Sequence, residues 1–200
     1  MAQSGNYARA VFLRHGGILR MGEALAQGIS RRTFYGMRDS GVIEQLSRGT
    51  YRLASLPPPT HPDLVAAAAR VPEGVICLVS ALAYHELTTR VPRAVDIAVR
   101  QGSRAPQIDY PPVRIYRFSG KAFTEGVTSP NIGGVHVRIY SPEKSVADAF
   151  KFRNQLGIEL VVEVLRLWHE MRRKHLATLL SHARNCRVER VMTPYLDALL

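Results

Sequence analysis

The sequence predicts an α+β fold, and three observations support this prediction. Patterns of three short helices and a β-hairpin precede residue 54, a proline-rich segment follows, and short strands and then helices occupy the remainder. The segment is Leu56-Pro57-Pro58-Pro59-Thr60, and because consecutive prolines fix φ and lack an N–H, it favours an extended linker. We therefore expect two domains, residues 1–56 and residues 61–200, joined by a proline-rich linker.

The N-terminal region begins with three helical segments. Gly28 ends the second, and Ser30 has the side chain to cap the third, which is expected to run to about residue 40. The predicted helices span residues 7–15, 22–27 and 31–40. The side chains expected to pack between the last two are Leu25, Ile29, Phe34 and Met37.

A β-hairpin is predicted directly after the third helix. Residues 42–46 and 50–53 have strand composition, and residues 47–49, Ser-Arg-Gly, join them with glycine where a positive φ is usually required. Ile43 does not alternate with Leu46, which leaves the register of the first strand open. Helix, short helix, turn, helix and hairpin is the element order of a winged helix-turn-helix. The hairpin side chains expected to face inward are Leu46, Tyr51 and Leu53.

The outer face of the third helix carries residues predicted to bind double-stranded DNA. Arginine binds the O6 and N7 atoms of guanine or contacts a phosphate, and early residues of a recognition helix usually reach base edges. Arg31 and Arg32 are therefore the predicted base contacts, and Arg48 at the hairpin tip and Arg52 on its outer face are expected to reach phosphates or the minor groove. The full predicted set is Ser30, Arg31, Arg32, Thr33, Tyr35, Arg38, Arg48, Thr50 and Arg52.

The charge distribution favours the same partner. The chain has 27 Lys and Arg against 16 Asp and Glu, a net charge of +11, and residues 1–54 hold eight arginines and three acids. An excess of this size is typical of proteins that bind polyanions. An arginine-rich helix face is also found simply solvated, and some winged helices serve only protein contacts. The turn, the apolar stripe and the hairpin together favour DNA.

Beyond the linker the elements predict an α+β domain that ends in a helical bundle. The strands do not alternate with helices regularly enough for a doubly wound sheet. Ser80 is expected to cap a helix that ends near residue 87. The predicted strands span residues 75–79, 94–99, 113–118 and 135–140. The other predicted helices span residues 63–70, 142–152, 158–173 and 174–185, with a short one near the C-terminus.

Six short motifs follow one another along the chain. They are Gly16-Gly17-Ile18, Gly28-Ile-Ser-Arg-Arg-Thr, Gly49-Thr-Tyr-Arg-Leu, Leu78-Val-Ser-Ala-Leu-Ala-Tyr-His-Glu-Leu-Thr-Thr, Val91-Pro and Ser141-Pro-Glu-Lys-Ser-Val-Ala-Asp-Ala-Phe-Lys-Phe-Arg. In order and spacing they resemble the AbiEi family of antitoxins from type IV toxin-antitoxin systems. The resemblance implies a winged helix, a C-terminal antitoxin domain, a repressor that binds inverted repeats in its operon, and a nucleotidyltransferase-like toxin encoded alongside.

The second domain offers a candidate contact surface. Ser141 is expected to cap a helix on which Lys144 and Asp148 lie one turn apart as an exposed ion pair. The alternative is that these residues form an ordinary solvated helix face. His169, His175 and His182 are likewise assigned to a solvated basic face, and Trp168 is expected to pack in the core. The residues of the predicted surface are Lys144, Asp148, Lys151, Arg153, Arg172, Arg173 and Lys174.

Two other classes of function remain open, an enzyme and a protein-interaction module. A nuclease needs a strand Asp followed by Glu-x-Lys on the next strand, and Asp96 has no such partner; a nucleotidyltransferase needs Gly-Ser and a pair of aspartates, and only Asp109 follows Gly102-Ser103. His85 near Ser80 resembles a base and nucleophile, but a packed or capping role is favoured because no nucleophile elbow surrounds the serine. A protein-interaction module that neutralises a partner is compatible with residues 61–200.

We expect no catalytic residue, metal ligand or cofactor. Cys77 and Cys186 are expected to be free thiols, since two cysteines over this length make neither a disulfide framework nor a zinc cluster. The longest uncharged apolar stretch, residues 74–84, is far shorter than the roughly 20 residues that span a bilayer. A cytoplasmic protein without membrane contact is predicted.

Overall fold

The structure, a computed structural model, describes residues 2–57, 59–104, 106, 108 and 110–199. It has a mixed α+β fold. The helices are α1 Ala2–Arg14, α2 Met21–Ala26, α3 Arg31–Asp39, α4 Pro62–Arg70, α5 Leu78–Tyr84, α6 Lys121–Thr124, α7 Pro142–Lys151, α8 Arg153–Leu156, α9 Ile158–Glu170, α10 Leu176–Cys186 and α11 Glu189–Asp197. The strands are β1 Ile18–Arg20, β2 Ile43–Ser47, β3 Thr50–Leu53, β4 Val75–Ile76, β5 Val95–Arg100, β6 Val113–Phe118, β7 Val127–Thr128, β8 Asn131–Ile132, β9 Val135–His136 and β10 Ile139–Tyr140.

The chain forms two compact units. The N-terminal unit comprises Met1–Pro72, Pro106–Pro112 and Pro130–Val137, and the C-terminal unit comprises Glu73–Ala105, Val113–Ser129 and Arg138–Leu200. Helix α4 and the hairpin of β8 and β9 thus belong with the N-terminal elements. The expected domain boundary in the proline-rich segment stays a prediction, and Pro58 in its middle lies outside the described residues.

The N-terminal unit contains a three-stranded antiparallel sheet of order β1-β3-β2. Strand β1 was not predicted, because three residues are too few to show a period-2 pattern. A register shift between Gln45 and Ser47 explains why Ile43 and Leu46 do not alternate. Ser47 pairs with Thr50, so the turn has two residues rather than the three predicted, with Gly49 at φ +75°. The hairpin of β2 and β3 is hereafter called the wing. Together with helices α1 to α3, it is consistent with a winged helix-turn-helix.

The core of this unit lies between α1, α3 and the sheet. The Phe34 ring centroid is 4.8 Å from that of Tyr51 and 6.4 Å from that of Phe12. The predicted burial of Ile29, Phe34 and Met37 is confirmed, whereas Leu25 is only half-buried. The interior therefore holds α3 by one face and leaves the other exposed.

The remaining segments of the N-terminal unit pack on these elements. The Tyr110 hydroxyl donates to the Asp63 carboxylate at 3.0 Å, which ties the 110–112 segment to α4. Gly16 and Gly134 approach so closely that a Cβ on either would overlap the carbonyl oxygen of the other. Glycine is therefore required at both positions.

The C-terminal unit contains a mixed five-stranded sheet of order β6-β5-β4-β10-β7. Strands β5 and β6 pair in parallel over six residues. Strands β4 and β10 are also parallel and pair at Ile76 and Ile139. The strand predicted over 135–140 is divided: β9 pairs with β8, whereas β10 pairs with β4 and β7. One sequence stretch therefore contributes to two sheets.

Helix α5 begins earlier than predicted. Cys77 is its N-cap residue, and the Asp96 carboxylate accepts the Val79 N–H at 3.1 Å. Ser80 therefore lies inside the helix, where its hydroxyl accepts the Asp96 N–H at 2.9 Å. A carboxylate from β5 thus supplies the capping interaction that was assigned to Ser80.

Helices α7 and α9 to α11 enclose the main apolar cluster of the C-terminal unit. Trp168 is buried in it as predicted, and Ser141 caps α7 by accepting the Lys144 N–H at 3.3 Å. His182, assigned to a solvated face, is instead buried, because α10 packs this side against α7. Cys77 and Cys186 are free and buried. Among the described residues, no helix is both long and apolar enough to cross a membrane.

Candidate nucleic-acid interface

The N-terminal end of α3 is fixed by its cap. The Ser30 hydroxyl accepts the Thr33 N–H at 3.1 Å and lies 2.9 Å from the Thr33 hydroxyl. Gly28, at φ +85°, makes the turn that brings the chain from α2 into this cap. Ser30 and Thr33, both predicted DNA contacts, therefore hold the helix end in place, and their role in DNA binding stays a prediction.

Arg31 and Arg32 lie in the first turn of α3 on the side opposite Phe34 and Met37. Both are exposed, and within the described part of the chain neither side chain makes a hydrogen bond or ion pair. A guanidinium group without a partner offers its fork of donors to a carboxylate, a phosphate or the O6 and N7 atoms of guanine. Their predicted exposure is confirmed, and their contact with bases stays a prediction.

Arg38 is also exposed, but it is already paired. Its guanidinium donates to the Asp39 carboxylate from Nε at 2.9 Å and from Nη2 at 2.7 Å, and it lies 4.8 Å from the Tyr35 ring centroid. The hydrogen bond to Asp39 raises the pKa of Arg38. The Tyr35 hydroxyl faces the Met21 sulfur at 3.9 Å. Asp39 directly follows Arg38 in the sequence, and this neighbour could have indicated that Arg38, unlike Arg31 and Arg32, is paired within the protein.

Arg48 lies in the wing turn and is exposed. Its carbonyl oxygen accepts a hydrogen bond from the Arg70 guanidinium at 2.8 Å. Helix α4 therefore supports the turn that presents Arg48. Arg70 was not among the predicted site residues, because the sequence does not show that α4 packs beside the wing.

Two wing residues predicted to contact DNA are buried, and their assignment was wrong. Thr50 is fully buried and Arg52 is 7% exposed, because β1 makes β3 the central strand of the sheet. The Arg52 guanidinium pairs with the Glu44 carboxylate and donates to the carbonyl oxygens of Leu56 and Pro57 at 2.9 and 3.1 Å. Arg52 thus fastens the segment after β3 to the wing.

The predicted contact surface of the C-terminal unit also requires correction. Lys144 and Asp148 are fully buried, and their side chains pair at 2.5 Å. The Lys144 ammonium lies 4.3 Å from the Tyr140 ring centroid, and the Cys186 thiol donates to Asp148 at 3.4 Å. Burial raises the pKa of Asp148, an effect that Lys144 opposes. This pair is part of the interior and contacts no external partner.

The other residues of that predicted surface are accessible to different degrees. Arg172, Arg173 and Lys174 are exposed between α9 and α10, and Lys174 donates to the His169 carbonyl oxygen. Lys151 is exposed, whereas Arg153 is half-buried and donates to the Phe150 carbonyl oxygen at 3.0 Å. Among the residues of this predicted surface, Arg172, Arg173 and Lys174 are the ones that form a run of adjacent exposed cations.

The residues considered for catalysis have structural partners. Asp96 is buried and pairs with Arg114 at 2.7 Å. His85 Nε2 lies 2.7 Å from the Tyr140 carbonyl oxygen, and burial lowers the pKa of this imidazole. Asp109 lies outside the described residues. Within the described ranges, His, Cys, Asp and Glu side chains form no group of three suited to a metal ion.

Comparison with known proteins supports the N-terminal assignment. Residues 6–54, about a quarter of the chain, match the family model described as transcriptional regulator, AbiEi antitoxin, which is a family of regulators and not of enzymes. The chain is similar in fold to the RV2827C protein from Mycobacterium tuberculosis, with a TM-score of 0.51 and 14% identity, over 94% of this chain and 71% of that one. No curated protein matches the sequence.

Proposed function

We propose that this protein is a sequence-specific double-stranded DNA-binding transcriptional regulator, a repressor, that contacts its operator through α3 and the wing. Arg31 and Arg32 contact base edges in the major groove, and Arg48 contacts a flanking phosphate. The match of residues 6–54 to a regulator family supports the class of function. A regulator of this kind acts in the cytoplasm, where its operator lies.

The observation that carries the proposal is the contrast between the two faces of α3. Phe34 and Met37 anchor one face in the core, while Arg31 and Arg32 stand exposed and unpaired among the described residues on the other. Unpaired guanidinium groups on a helix held by the core have no internal hydrogen bond or ion pair to break before they bind DNA. This arrangement favours base contacts over a merely solvated face.

The family further suggests the biological setting. We propose that the operator is an inverted repeat and that the protein is the antitoxin of an AbiE-like type IV operon, with a nucleotidyltransferase-like toxin as its partner. The exposed cations at 172–174 supply additional phosphate contacts. The alternatives are a module that neutralises a partner without base-specific binding, and a winged helix fused to a nuclease or nucleotidyltransferase.

A single experiment separates these functions. The full chain is incubated with a pool of randomised duplexes, and the retained DNA is sequenced and titrated at several salt concentrations, with and without Mg²⁺. We expect enrichment of an inverted repeat, affinity that falls with salt, and intact DNA under both conditions. Retention without an enriched sequence would favour the neutralising module. Mg²⁺-dependent cleavage would make the protein a nuclease.

A further inference from the structure

Helix α4 ends in a basic residue, Arg70, and this end lies beside the turn of the wing. The Arg70 Nη1 donates to the Arg48 carbonyl oxygen at 2.8 Å and is 3.9 Å from the position that a Cβ on Gly49 would occupy. Both residues of the wing turn are therefore close to this guanidinium group. Arg70 follows the proline-rich segment in the chain and lies outside residues 6–54, which match the regulator family.

The packing of α4 determines where Arg70 is placed. Val65 and Ala67 of this helix are fully buried, and the Asp63 carboxylate near its start accepts the Tyr110 hydroxyl at 3.0 Å. The helix packs against β2, the first strand of the wing, and against β9. The position of Arg70 beside the wing is therefore set by the packing of the whole helix and does not depend on one hydrogen bond at its end.

Arg70 uses only part of its hydrogen-bonding capacity on the wing. A guanidinium group has five N–H donors, and among the described residues the Arg48 carbonyl oxygen is the one acceptor that Arg70 reaches. No carboxylate of the described residues pairs with it, and the acid of the wing, Glu44, is paired with Arg52. The side chain is half-buried, so part of it is accessible. The remaining donors and the charge of Arg70 are therefore available to an anion.

We infer that Arg70 is a second phosphate-binding residue of the DNA interface and contacts the DNA backbone beside Arg48; this inference rests on the proposed function. Two cations at one turn repel each other, and phosphates bound at the turn relieve this repulsion. The alternative is that Arg70 only supports the turn, a role for which a neutral donor suffices. With Arg70 as a phosphate contact, the DNA-binding surface extends past the proline-rich segment to the end of α4.

Salt titration of variants of the full chain tests the inference, on the duplex that the wild-type chain selects and on an unrelated duplex. Arg70→Ala should lower the slope of log K against log[salt] by about one unit on both, because a phosphate contact does not depend on sequence. Arg70→Lys keeps the charge and should keep most of the slope. Arg90→Ala is the matched control: it removes one charge from the C-terminal unit, where Arg90 Nη1 likewise donates to a carbonyl oxygen, that of Leu156 at 3.0 Å. It should leave the slope unchanged.

A double variant separates a direct contact from support of the turn. Arg48→Ala with Arg70→Ala should lose about two units of slope, one for each phosphate contact. A double variant with the slope of Arg48→Ala alone would show that Arg70 acts only through Arg48, and it would overturn the inference.

Thermal melting checks that each variant is folded. Arg70→Gln, which removes the charge but keeps N–H donors, replaces Arg70→Ala if the alanine variant is unfolded, and the same loss of slope is expected. A folded Arg70 variant without the charge that keeps the wild-type slope overturns this inference and leaves the proposed function intact. A wild-type chain that shows no salt-dependent binding to any duplex overturns both.

Discussion

Helices α3 and α7 have the same kind of N-terminal cap but differ in the burial of their cations. Each starts at a serine whose hydroxyl accepts the N–H three residues on, Ser30 from Thr33 at 3.1 Å and Ser141 from Lys144 at 3.3 Å. Each carries a cation near this end. In α3 the cations are exposed, whereas in α7 every residue from 143 to 150 is buried.

The difference shows that burial, not the local pattern, decides what a cation does. Helix α3 packs on α1, α2 and β2 with one face, whereas α7 is surrounded by α5, α8, α9 and α10. Lys144 therefore meets Asp148 inside the protein, while Arg31 and Arg32 have no partner among the described residues. A cation in the core needs a partner inside the protein, and an exposed one is available to a ligand.

The largest effect is expected at Lys144. Lys144→Ala leaves the buried Asp148 carboxylate without its partner, and this should lower the free energy of unfolding by about 3–5 kcal/mol. Urea titration of the variant measures the loss. The double variant Lys144→Met with Asp148→Leu removes both charges and should recover most of the stability. If the single variant loses less than about 1 kcal/mol in free energy of unfolding, the pair behaves as a surface ion pair. Lys144 would then not differ from the exposed arginines of α3.

Arg52 provides the next test. It is an arginine of the wing, but it is buried and paired like Lys144 and not exposed like Arg31. Arg52→Ala loses two hydrogen bonds to the carbonyl oxygens of residues 56 and 57 and should destabilise the N-terminal unit by about 1–3 kcal/mol. Glu44→Ala is the matched control, since this half-exposed partner should contribute at most about 1 kcal/mol. Unchanged thermal stability with a reduced salt dependence of DNA binding would instead make Arg52 a phosphate contact.

Arg48 should show the smallest effect. Arg48→Ala is expected to weaken binding to all duplexes alike and to lower the slope of log K against log[salt] by about one unit, as for one lost phosphate contact. Titration of an operator and an unrelated duplex at several salt concentrations measures this. A loss confined to one base pair would show that the wing contacts bases.

The sequence predicted the helices and hairpin of the N-terminal unit because their apolar spacing and caps are local. It missed β1, a three-residue strand, and with it the burial of Thr50 and Arg52. It also placed Lys144 and Asp148 at the surface, because an i,i+4 ion pair has the same spacing whether or not other helices cover it. Arg31 and Arg32 were assigned correctly as exposed, since Phe34 and Met37 fix the orientation of α3. Their role in binding stays a prediction.

The variant Arg31→Ala with Arg32→Ala tests the central claim most directly, against the duplex that the wild-type chain selects. Each lost base contact should cost about 1–3 kcal/mol of operator affinity, while the melting temperature stays unchanged because neither side chain packs in the core. Arg38→Ala is the matched control and should lose less, since Arg38 is already paired with Asp39. We predict that the double variant, still folded, no longer distinguishes its operator from unrelated DNA. Wild-type operator affinity in the folded double variant would contradict the assignment of α3 as the recognition helix.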